Sequence, residues 1–131
     1  MTPWQLYQNV VFISYQPFAT MSSFAIISAI NPAGKMAPAG QNLCRHMAFA
    51  ASLHDARVRY RKVTGASTDC KHLEPSWAVF CSRYQAVQYA LDWQQNALYW
   101  VEDDELWLLP ALLQQEPVAL GCFSQRLILA S

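Results

Sequence analysis

The sequence predicts a single α+β domain that spans residues 1–131. Two apolar runs, Phe24 to Ile30 and Ser76 to Cys81, have the length of buried strands, and each precedes a stretch with helical spacing of apolar residues. A chain of this length buries about two thirds of its unfolded surface as one domain. Apolar residues make up 53% of the chain and charged residues 14%, which is typical of a packed core and not of disorder.

The first third of the chain contains two predicted helices around a buried strand. Thr2-Pro3-Trp4-Gln5 has the capping-box form, with a hydroxyl at the N-cap and Pro at the first helical position. We expect this N-terminal helix to end near Tyr15 and a connection to follow it to residue 22. Phe24 to Ile30 is the first core strand. A second helix is predicted from Gln41 to about Ala56, where the residues that recur at near-helical spacing are Leu43, Met47, Ala50 and Leu53.

The middle of the chain alternates strands with a loop and a helix. Arg57 to Val63 alternates charged and apolar residues, which predicts a strand. Gly65 to Pro75 is polar and is predicted to be a loop. Ser76 to Cys81 is the next buried strand. Ser82-Arg83-Tyr84-Gln85 then has the capping-box form and begins a helix that we expect to end near Trp93.

The C-terminal third is predicted to be strands. Ala97 to Glu102 and Glu105 to Leu109 are rich in aromatic and branched residues, and Asp103-Asp104 between them predicts a tight hairpin. A last apolar segment runs from Val118 to Leu129, and Gly121 within it marks a candidate β-bulge.

The order is therefore a helix, then β-α-β-β-α-β, then one or two added strands, which is the pattern of ferredoxin-like folds. We predict a ferredoxin-like α+β sandwich with an N-terminal helix in residues 1–22, a core in residues 23–126 and an added C-terminal hairpin strand. The usual antiparallel order of that fold brings several polar residues to one end of the sheet. These residues are Asn31, Gln41, Asn42, Glu74, Ser76, Gln95 and Asn96.

Two interpretations of this amide-rich end remain open. The amides brace turns and helix ends by bonding to the backbone. Alternatively, they line a pocket in which amides, one carboxylate and one hydroxyl bind a small polar ligand.

The same segments also carry a resemblance to a known family. The motifs SAINP, the Gln41-Asn42 pair, EPSWAV and QNALYWVEDDEL together resemble the uncharacterised bacterial family called domain of unknown function 3293, from about Phe24 to Arg126. The resemblance implies a small cytoplasmic bacterial protein and no established activity, substrate or cofactor. Pro38 stands where family members often carry Ser before the first helix, and Gln94 stands where they carry Gly.

Glu74 is the carboxylate of this group, and His72 lies two residues before it. In an extended segment both side chains point the same way, so the pair is a candidate for acid–base catalysis. No convincing nucleophile, second catalytic carboxylate or phosphate-binding loop accompanies it. Cys44 and His46 repeat the spacing of Cys70 and His72, but residues two apart on a helix diverge, so we expect no metal site and no cofactor.

Arg57, Arg59 and Arg61 form the local basic patch, with Lys62 beside them. The simpler interpretation is a solvated edge strand whose charges prevent edge-to-edge pairing. The alternative is contact with a partner or a phosphate, and Tyr60 on the opposite face weakens a nucleic-acid platform.

Composition also indicates which classes of partner and which cellular compartment to expect. Nine basic residues balance nine acidic ones, so nucleic acid is a disfavoured partner. No apolar run approaches the roughly 20 residues that a membrane helix needs. Four widely spaced cysteines and the absence of a signal-like N-terminus predict a cytoplasmic protein. The aromatic hairpin offers a surface for a homodimer; its large apolar residues are Tyr99, Trp100, Trp107 and Leu109.

We therefore expect a small cytoplasmic ligand-binding or regulatory domain without catalytic activity. A small hydrolase with Glu74 as general base, or a protein-interaction module, is the alternative.

Overall fold

The computed structural model describes all residues, 1–131, and contains three α-helices and eight strands. The helices are α1 (Pro3–Tyr7), α2 (Ala39–Asp55) and α3 (Arg83–Asp92). The strands are β1 (Val10–Ser14), β2 (Ser23–Ile27), β3 (Tyr60–Ser67), β4 (Leu73–Val79), β5 (Ala97–Glu102), β6 (Glu105–Pro110), β7 (Val118–Cys122) and β8 (Leu127–Leu129). Short 3₁₀ turns lie at Pro32–Gly34 and Phe123–Arg126.

All eight strands form one sheet in the order β7-β6-β5-β2-β4-β3-β1-β8. β1 and β8 pair in parallel and all other neighbours pair antiparallel, so the sheet is mixed, and it curls into a half-barrel. The α+β class is confirmed. The element order β2-α2-β3-β4-α3-β5 also occurs, but these four strands are the centre of a larger sheet, and the ferredoxin-like assignment itself stays a prediction.

The sheet buries apolar side chains on both faces. We call the face that packs on α2 and α3 the helix face; its core includes Ile27, Val79 and Trp100. The opposite face, which we call the aromatic face, has a core that includes Phe12 and Phe24. A central strand covered on both faces has no solvent side, which is why β2 and the residues after it read as one apolar run.

The predicted N-terminal helix is wrong beyond its first turns. The capping box of Thr2 and Gln5 forms as expected, but α1 ends at Tyr7. Val10–Ser14 is instead a strand, β1, that pairs with β3 and alternates buried with half-buried residues. Its Val-Val-Phe-Ile run consists of β-branched and aromatic residues, which pack better on a pleated surface than in a helix.

The predicted loop from Gly65 to Pro75 is also wrong. β3 continues through Ser67 and β4 begins at Leu73, so the loop shrinks to a tight turn held by Asp69. β3 lies between β4 and β1, which also corrects its interpretation as an edge strand. Pairing with two neighbours satisfies the backbone of this polar stretch, so apolar side chains are not needed to make it a strand.

The buried face of α2 overlaps only in part with the predicted one. Its buried residues are His46, Phe49, Ala50 and Leu53, so Ala50 and Leu53 are confirmed. Leu43 and Met47 are wrong, at 62% and 55% exposed, and His46 and Phe49 take their place in the first turns of the buried stripe. α2 has 17 residues, and none of the helices has the length and apolar character to cross a membrane.

The C-terminal hairpin and bulge are confirmed. Asp103 and Asp104 both have positive φ, as a two-residue hairpin turn requires. In the β6–β7 register, Leu106 lies opposite Gly121 and Trp107 opposite Ala119, so one extra residue is accommodated. Gly121 has φ +89°, the conformation that a glycine bulge uses. The predicted final segment is two strands, β7 and β8, separated by a 3₁₀ turn.

Replacement of Phe12 tests whether the aromatic face contributes as much as a core should. Phe12 is fully buried and its ring packs edge-on against Tyr99. We expect Phe12→Ala to lower the free energy of unfolding by about 3 to 5 kcal/mol, because it leaves a cavity. Tyr15→Ala, at a 69% exposed position just after the same strand, is the control and should change it by less than about 0.5 kcal/mol. Equal effects in urea denaturation would contradict a core on this face.

Candidate functional site

The structure brings the predicted polar residues to one end of the sheet. The Ser28 hydroxyl donates to the carbonyl of Pro75 at 3.3 Å, which joins the end of β2 to the start of β4. The Gln95 amide donates to the carbonyl of Ile30 at 3.1 Å, which joins the residues before β5 to the same place. Asn31 and Asn42 meet beside them.

Asn31 and Asn42 use most of their hydrogen-bonding groups on each other and on the backbone. The Asn42 amide oxygen accepts from Asn31 N–H at 2.9 Å, and its Nδ2 donates to Asn31 Oδ1 at 2.8 Å. Asn31 Oδ1 also accepts from Ala37 N–H at 3.0 Å. Asn31 itself has φ 49°, a left-handed conformation that Asn tolerates better than most residues. The pair therefore braces the connection between β2 and α2.

Arg45 is the main residue at this end that the sequence analysis missed. Its Nε donates to the carbonyl of Ala29 at 2.6 Å, and one Nη donates to the carbonyl of Trp93 at 2.7 Å. The guanidinium also lies over the Trp93 ring, with its carbon 5.5 Å from the ring centroid. One α2 side chain thus ties the end of β2 to the end of α3. Arg45 lies one turn before Phe49 at the border of the buried face of α2, and a single Arg at such a position carries no sequence signal of this role.

Asn96 and Gly34 fit against each other below α1. Asn96 Nδ2 donates to the Tyr7 hydroxyl at 3.2 Å. Two observations explain the glycine at position 34. A Cβ there would lie 2.6 Å from Asn96 Nδ2, which is too close, and the φ of +74° is one that residues with a side chain rarely adopt. The backbone of Asn96 also makes contacts, because its carbonyl accepts hydrogen bonds from the N–H groups of Ala111 and Leu113.

The side chains of Gln41 and Ser76, the remaining predicted site residues, differ in solvent exposure. Gln41 is exposed in the first turn of α2. Ser76 is buried, and its hydroxyl donates to the carbonyl of Glu74 at 3.1 Å. The Ser28 hydroxyl already donates to Pro75 and accepts from Ile30 N–H, so it is not arranged as an activated nucleophile.

Glu74 combines exposed surface with a carboxyl group whose pKa is raised. Strand alternation places it on the aromatic face, with Ser76 and Ala78. The residue retains exposed surface, so water reaches it. Neighbouring protein nevertheless displaces enough water from the carboxyl group to raise its pKa, and the nearby Ser28 hydroxyl offsets only part of this shift.

The Tyr99 hydroxyl is close enough to Glu74 for the two groups to interact electrostatically. Burial raises the pKa of Tyr99 well above its ordinary value, and the charge of Glu74 raises it further. The Tyr99 hydroxyl donates to the backbone carbonyl of Tyr7 at 2.6 Å, which fixes α1 over this end of the aromatic face. Sequence analysis had assigned Tyr99 only to the hairpin surface.

Gly65 leaves room beside Glu74. The β3–β4 register places it directly opposite Glu74, and Phe12 of β1 lies on its other side. A Cβ built at Gly65 would have its nearest neighbours at 3.8 Å, the Glu74 carbonyl and a Val10 methyl. A Cβ here would therefore make van der Waals contacts without a clash, so a methyl group can be added beside Glu74.

The His72 side chain makes no hydrogen bond or ion pair with Glu74. It is exposed at the β3–β4 turn, where its N–H donates to the Ser67 hydroxyl at 3.1 Å. Its imidazole lies near Asp69 and contributes to lowering the pKa of that carboxyl, behind the hydrogen bonds that Asp69 accepts from Ser67 and Lys71. The predicted acid–base partnership with Glu74 has no support in this arrangement.

His46 is buried for a reason unrelated to metal binding. Its ring stacks on Trp77 with the centroids 4.4 Å apart, and its Nδ1 has no hydrogen-bond partner. Burial, and then the charge of Lys62, lower its pKa. Cys44 is exposed while His46 is buried, so the two side chains diverge as the helical geometry predicted.

The three arginines predicted to share one strand face do not all lie together in the structure. Arg57 lies after α2 with φ 59°, in a turn where its N–H bonds to the carbonyl of His54, so it does not share a strand face with the others. Arg59 and Arg61 lie over the ring of Phe80 on the aromatic face. Tyr60 packs edge-on against Trp77 on the helix face, as predicted.

Comparison with known proteins gives a family without an assigned activity. The family model described as "Protein of unknown function (DUF3293)" matches residues 27–98. This is a shorter stretch than the one over which the motifs carry the resemblance. No curated protein and no solved structure matches the chain.

Arg45 provides a direct test of the bracing at this end of the sheet. We expect Arg45→Ala to lower the free energy of unfolding by about 2 to 4 kcal/mol, because it leaves the carbonyls of Ala29 and Trp93 without their charged donor. Arg83→Ala is the control, since Arg83 is exposed and contacts only the Trp107 ring, at 5.9 Å; it should cost about 1 kcal/mol or less. If urea denaturation gave the same loss for both variants, Arg45 would not be the brace.

Proposed function

The chain belongs to the DUF3293 family, whose description assigns no activity, and from its geometry we propose that it is a small ligand-binding or regulatory domain. The proposed site is the Glu74 end of the aromatic face. It comprises Glu74 with Ser28, Ser76 and Tyr99, framed by the connection that Asn31, Asn42, Gln95 and Asn96 hold in place.

The observation that carries this proposal is the desolvated carboxyl group of Glu74. A carboxylate with a structural role normally has a cation or backbone N–H groups beside it, and these lower its pKa. The pKa of Glu74 is raised, because burial outweighs the single hydroxyl that opposes it. An ionisable group kept in a costly environment at a concave or crowded surface is typical of binding and catalytic sites.

The surroundings of Glu74 favour a ligand that donates hydrogen bonds or carries a positive charge. A carboxylate accepts hydrogen bonds, and an ammonium or amide N–H would restore the solvation that the protein has removed. Gly65, opposite Glu74 in the neighbouring strand, carries no side chain that would compete with a ligand for the carboxyl group. We therefore expect a small polar ligand with at least one N–H donor.

The amides contribute to this site through the backbone. Asn31, Asn42 and Gln95 are occupied by bonds within the connection that follows β2. Their role in the proposal is to hold that connection, and Gln41 and Asn96 retain groups for a ligand at its margin.

A small hydrolase with Glu74 as general base is the second candidate. A raised pKa brings a carboxyl group nearer to the range in which it exchanges protons efficiently. The occupied hydroxyl of Ser28 and the orientation of His72 towards Asp69 argue against it. We rank binding without catalysis first for this reason.

The wider setting of the proposal is a single cytoplasmic bacterial domain. Four free cysteines, three of them exposed, fit a reducing compartment. The central strand order β5-β2-β4-β3, with α2 and α3 on one face, is compatible with a ferredoxin-like origin of the core. A homodimer through the hairpin would use Trp107, which is half-buried on the helix face, while Tyr99 packs on the opposite face.

The pH dependence of stability distinguishes a functional Glu74 from a structural one. Because the folded-state pKa of Glu74 lies above its unfolded value, stability is highest below the unfolded pKa and falls as pH rises through the folded pKa. Glu74→Gln removes this loss. We therefore expect the variant to be more stable than the wild type at neutral pH, and the difference to vanish below about pH 4, near the ordinary Glu value.

Urea denaturation at several pH values measures this difference, and Glu116→Gln serves as the control. Glu116 is exposed in the connection between β6 and β7, so its replacement should leave the pH profile unchanged. A Glu74→Gln variant that is less stable than the wild type at neutral pH would show that Glu74 is a structural acceptor, and the proposed site would lose its main support.

Ligand binding is tested by thermal denaturation in the presence of a library of small amines and amides. We expect some compounds to raise the Tm of the wild type. The same compounds should not raise the Tm of Glu74→Gln, or of Gly65→Ala, which adds a methyl group beside the carboxyl group. Gly40→Ala is the matched control, because a Cβ there meets nothing within 4 Å.

The outcomes of this screen separate the candidates. Compounds that stabilise the wild type and the Gly65→Ala variant equally would place binding elsewhere. Turnover of ester or amide substrates that disappears in Glu74→Gln would favour the hydrolase over the binding domain.

A further inference from the structure

Two arginines share one aromatic ring at the end of the aromatic face opposite to Glu74. The guanidinium carbon of Arg59 lies 4.8 Å from the centroid of the Phe80 ring, and that of Arg61 lies 5.5 Å from it. Arg61 also lies 4.4 Å from the centroid of Phe18. We call Arg59 and Arg61 the arginine pair. A guanidinium that stacks on a ring keeps its N–H edges free for in-plane hydrogen bonds.

The arginine pair is a concentration of positive charge without a neutralising acid. Burial and the charge of Arg59 both lower the pKa of Arg61, and no carboxylate counters them. Arg61 uses one N–H on the carbonyl of Pro17, at 2.7 Å. The Arg59 side chain is exposed and makes no hydrogen bond within the chain, while its backbone carbonyl accepts from Phe80 N–H at 3.0 Å. A bound anion would relieve the repulsion and occupy the free N–H groups.

The acidic hairpin tip does not supply that anion within the chain. Glu102 and Glu105 lie at the same end of the sheet as the arginine pair. Three strand spacings separate β5 from β3, which is about 14 Å measured along the sheet. That exceeds the Debye length of about 8 Å at physiological salt, so these charges are largely screened from one another.

Surface recesses on both sides of the pair give an anion access. One, of about 520 Å³, is lined by His54, Arg57, Val58, Arg59 and Tyr60. The other, of about 420 Å³, is lined by Ser14, Tyr15, Gln16, Tyr60, Arg61 and Lys62. Each recess contains at least two basic residues, and neither is lined by an Asp or a Glu.

Arg57 adds a cation at a strained position. Its N–H bonds to the carbonyl of His54, and the N–H of Val58 bonds to the carbonyl of Leu53, which is the helix-ending motif that usually has glycine at this place. The helix dipole of α2 accounts in part for a basic residue here. It does not account for Arg59 and Arg61, which lie beyond the helix.

We propose that the arginine pair is a binding site for a phosphate group, separate from the Glu74 site. Phosphate suits it better than a carboxylate, because two cations match a dianion and each guanidinium can bind two of its oxygens. Phe80 and Phe18 hold the guanidinium planes, and Arg57 and Lys62 add to the local field. Inorganic phosphate and a small phosphorylated metabolite share this chemistry.

Calorimetric titration with inorganic pyrophosphate at about 0.05 M salt tests the proposal, since surface electrostatics is least screened there. We expect binding to the wild type and about a tenfold or larger increase in Kd for Arg59→Gln, which removes one charged bidentate donor. Arg83→Gln is the matched control, because Arg83 also lies over an aromatic ring, that of Trp107, but is on α3. Its Kd should equal that of the wild type.

Parallel titrations with AMP and adenosine distinguish the sources of the phosphate. Inorganic phosphate is titrated beside them. Equal affinity for AMP and inorganic phosphate would indicate a site for the phosphate group alone, and a tighter AMP complex would indicate a nucleotide. Urea denaturation of Arg59→Gln confirms that the exposed position tolerates the change.

Three results would overturn the proposal. Pyrophosphate binding weaker than about 1 mM would be too weak for a dedicated site. A Kd that is equal in Arg59→Gln and the wild type would place the anion elsewhere. Concentration-dependent self-association that Arg59→Gln abolishes, without any phosphate binding, would show that the pair contacts the acidic hairpin of a second copy.

Discussion

The structure depends on satisfying the backbone that leaves β2. A strand in the middle of a sheet ends among buried groups, and peptide carbonyls there need donors that no neighbouring strand supplies. Arg45 and Gln95 supply them to Ala29 and Ile30, and Asn42 accepts from the next N–H. These bonds join α2, α3 and β5 to the end of β2. The curled sheet, and everything placed at its polar end, requires this set of side-chain bonds.

The aromatic face combines a packed core with charge at both ends. Phe12, Phe24 and Phe123 pack in its middle with ring centroids 5.3 to 5.4 Å apart. Glu74 lies at one end of β4 and Phe80, with its arginines, just beyond the other, about 20 Å away for six strand residues. Each charged end lacks an internal partner of opposite sign. Charged groups that neighbouring protein crowds and no internal counter-charge balances are candidates for ligand contacts, which is why both proposals rest on this face.

Local signals in the sequence identified most of the elements. The capping box at Thr2, the Asp103-Asp104 turn and the bulge at Gly121 depend on residues near one another in the chain, and they formed as expected. At Ser82 the hydroxyl caps the helix as expected, by accepting from Gln85 N–H, but the reciprocal bond from the Gln85 side chain does not form. The errors arose where long-range pairing decided the result. β1 became a strand by pairing with β3, and the polar stretch around Gly65 became part of the sheet because both its neighbours are strands.

For the candidate site, the sequence by itself determined which segments carry polar residues and, through the expected strand order, that they meet at one end of the sheet. It did not determine what those residues do there. Arg45 and Asn42 bond to backbone groups 16 and 11 residues away, and the raised pKa of Glu74 comes from burial in the folded chain. A hydrogen bond or a pKa depends on atoms that approach through space. Only the tertiary structure could separate the bracing amides from the one carboxylate left without a strong partner.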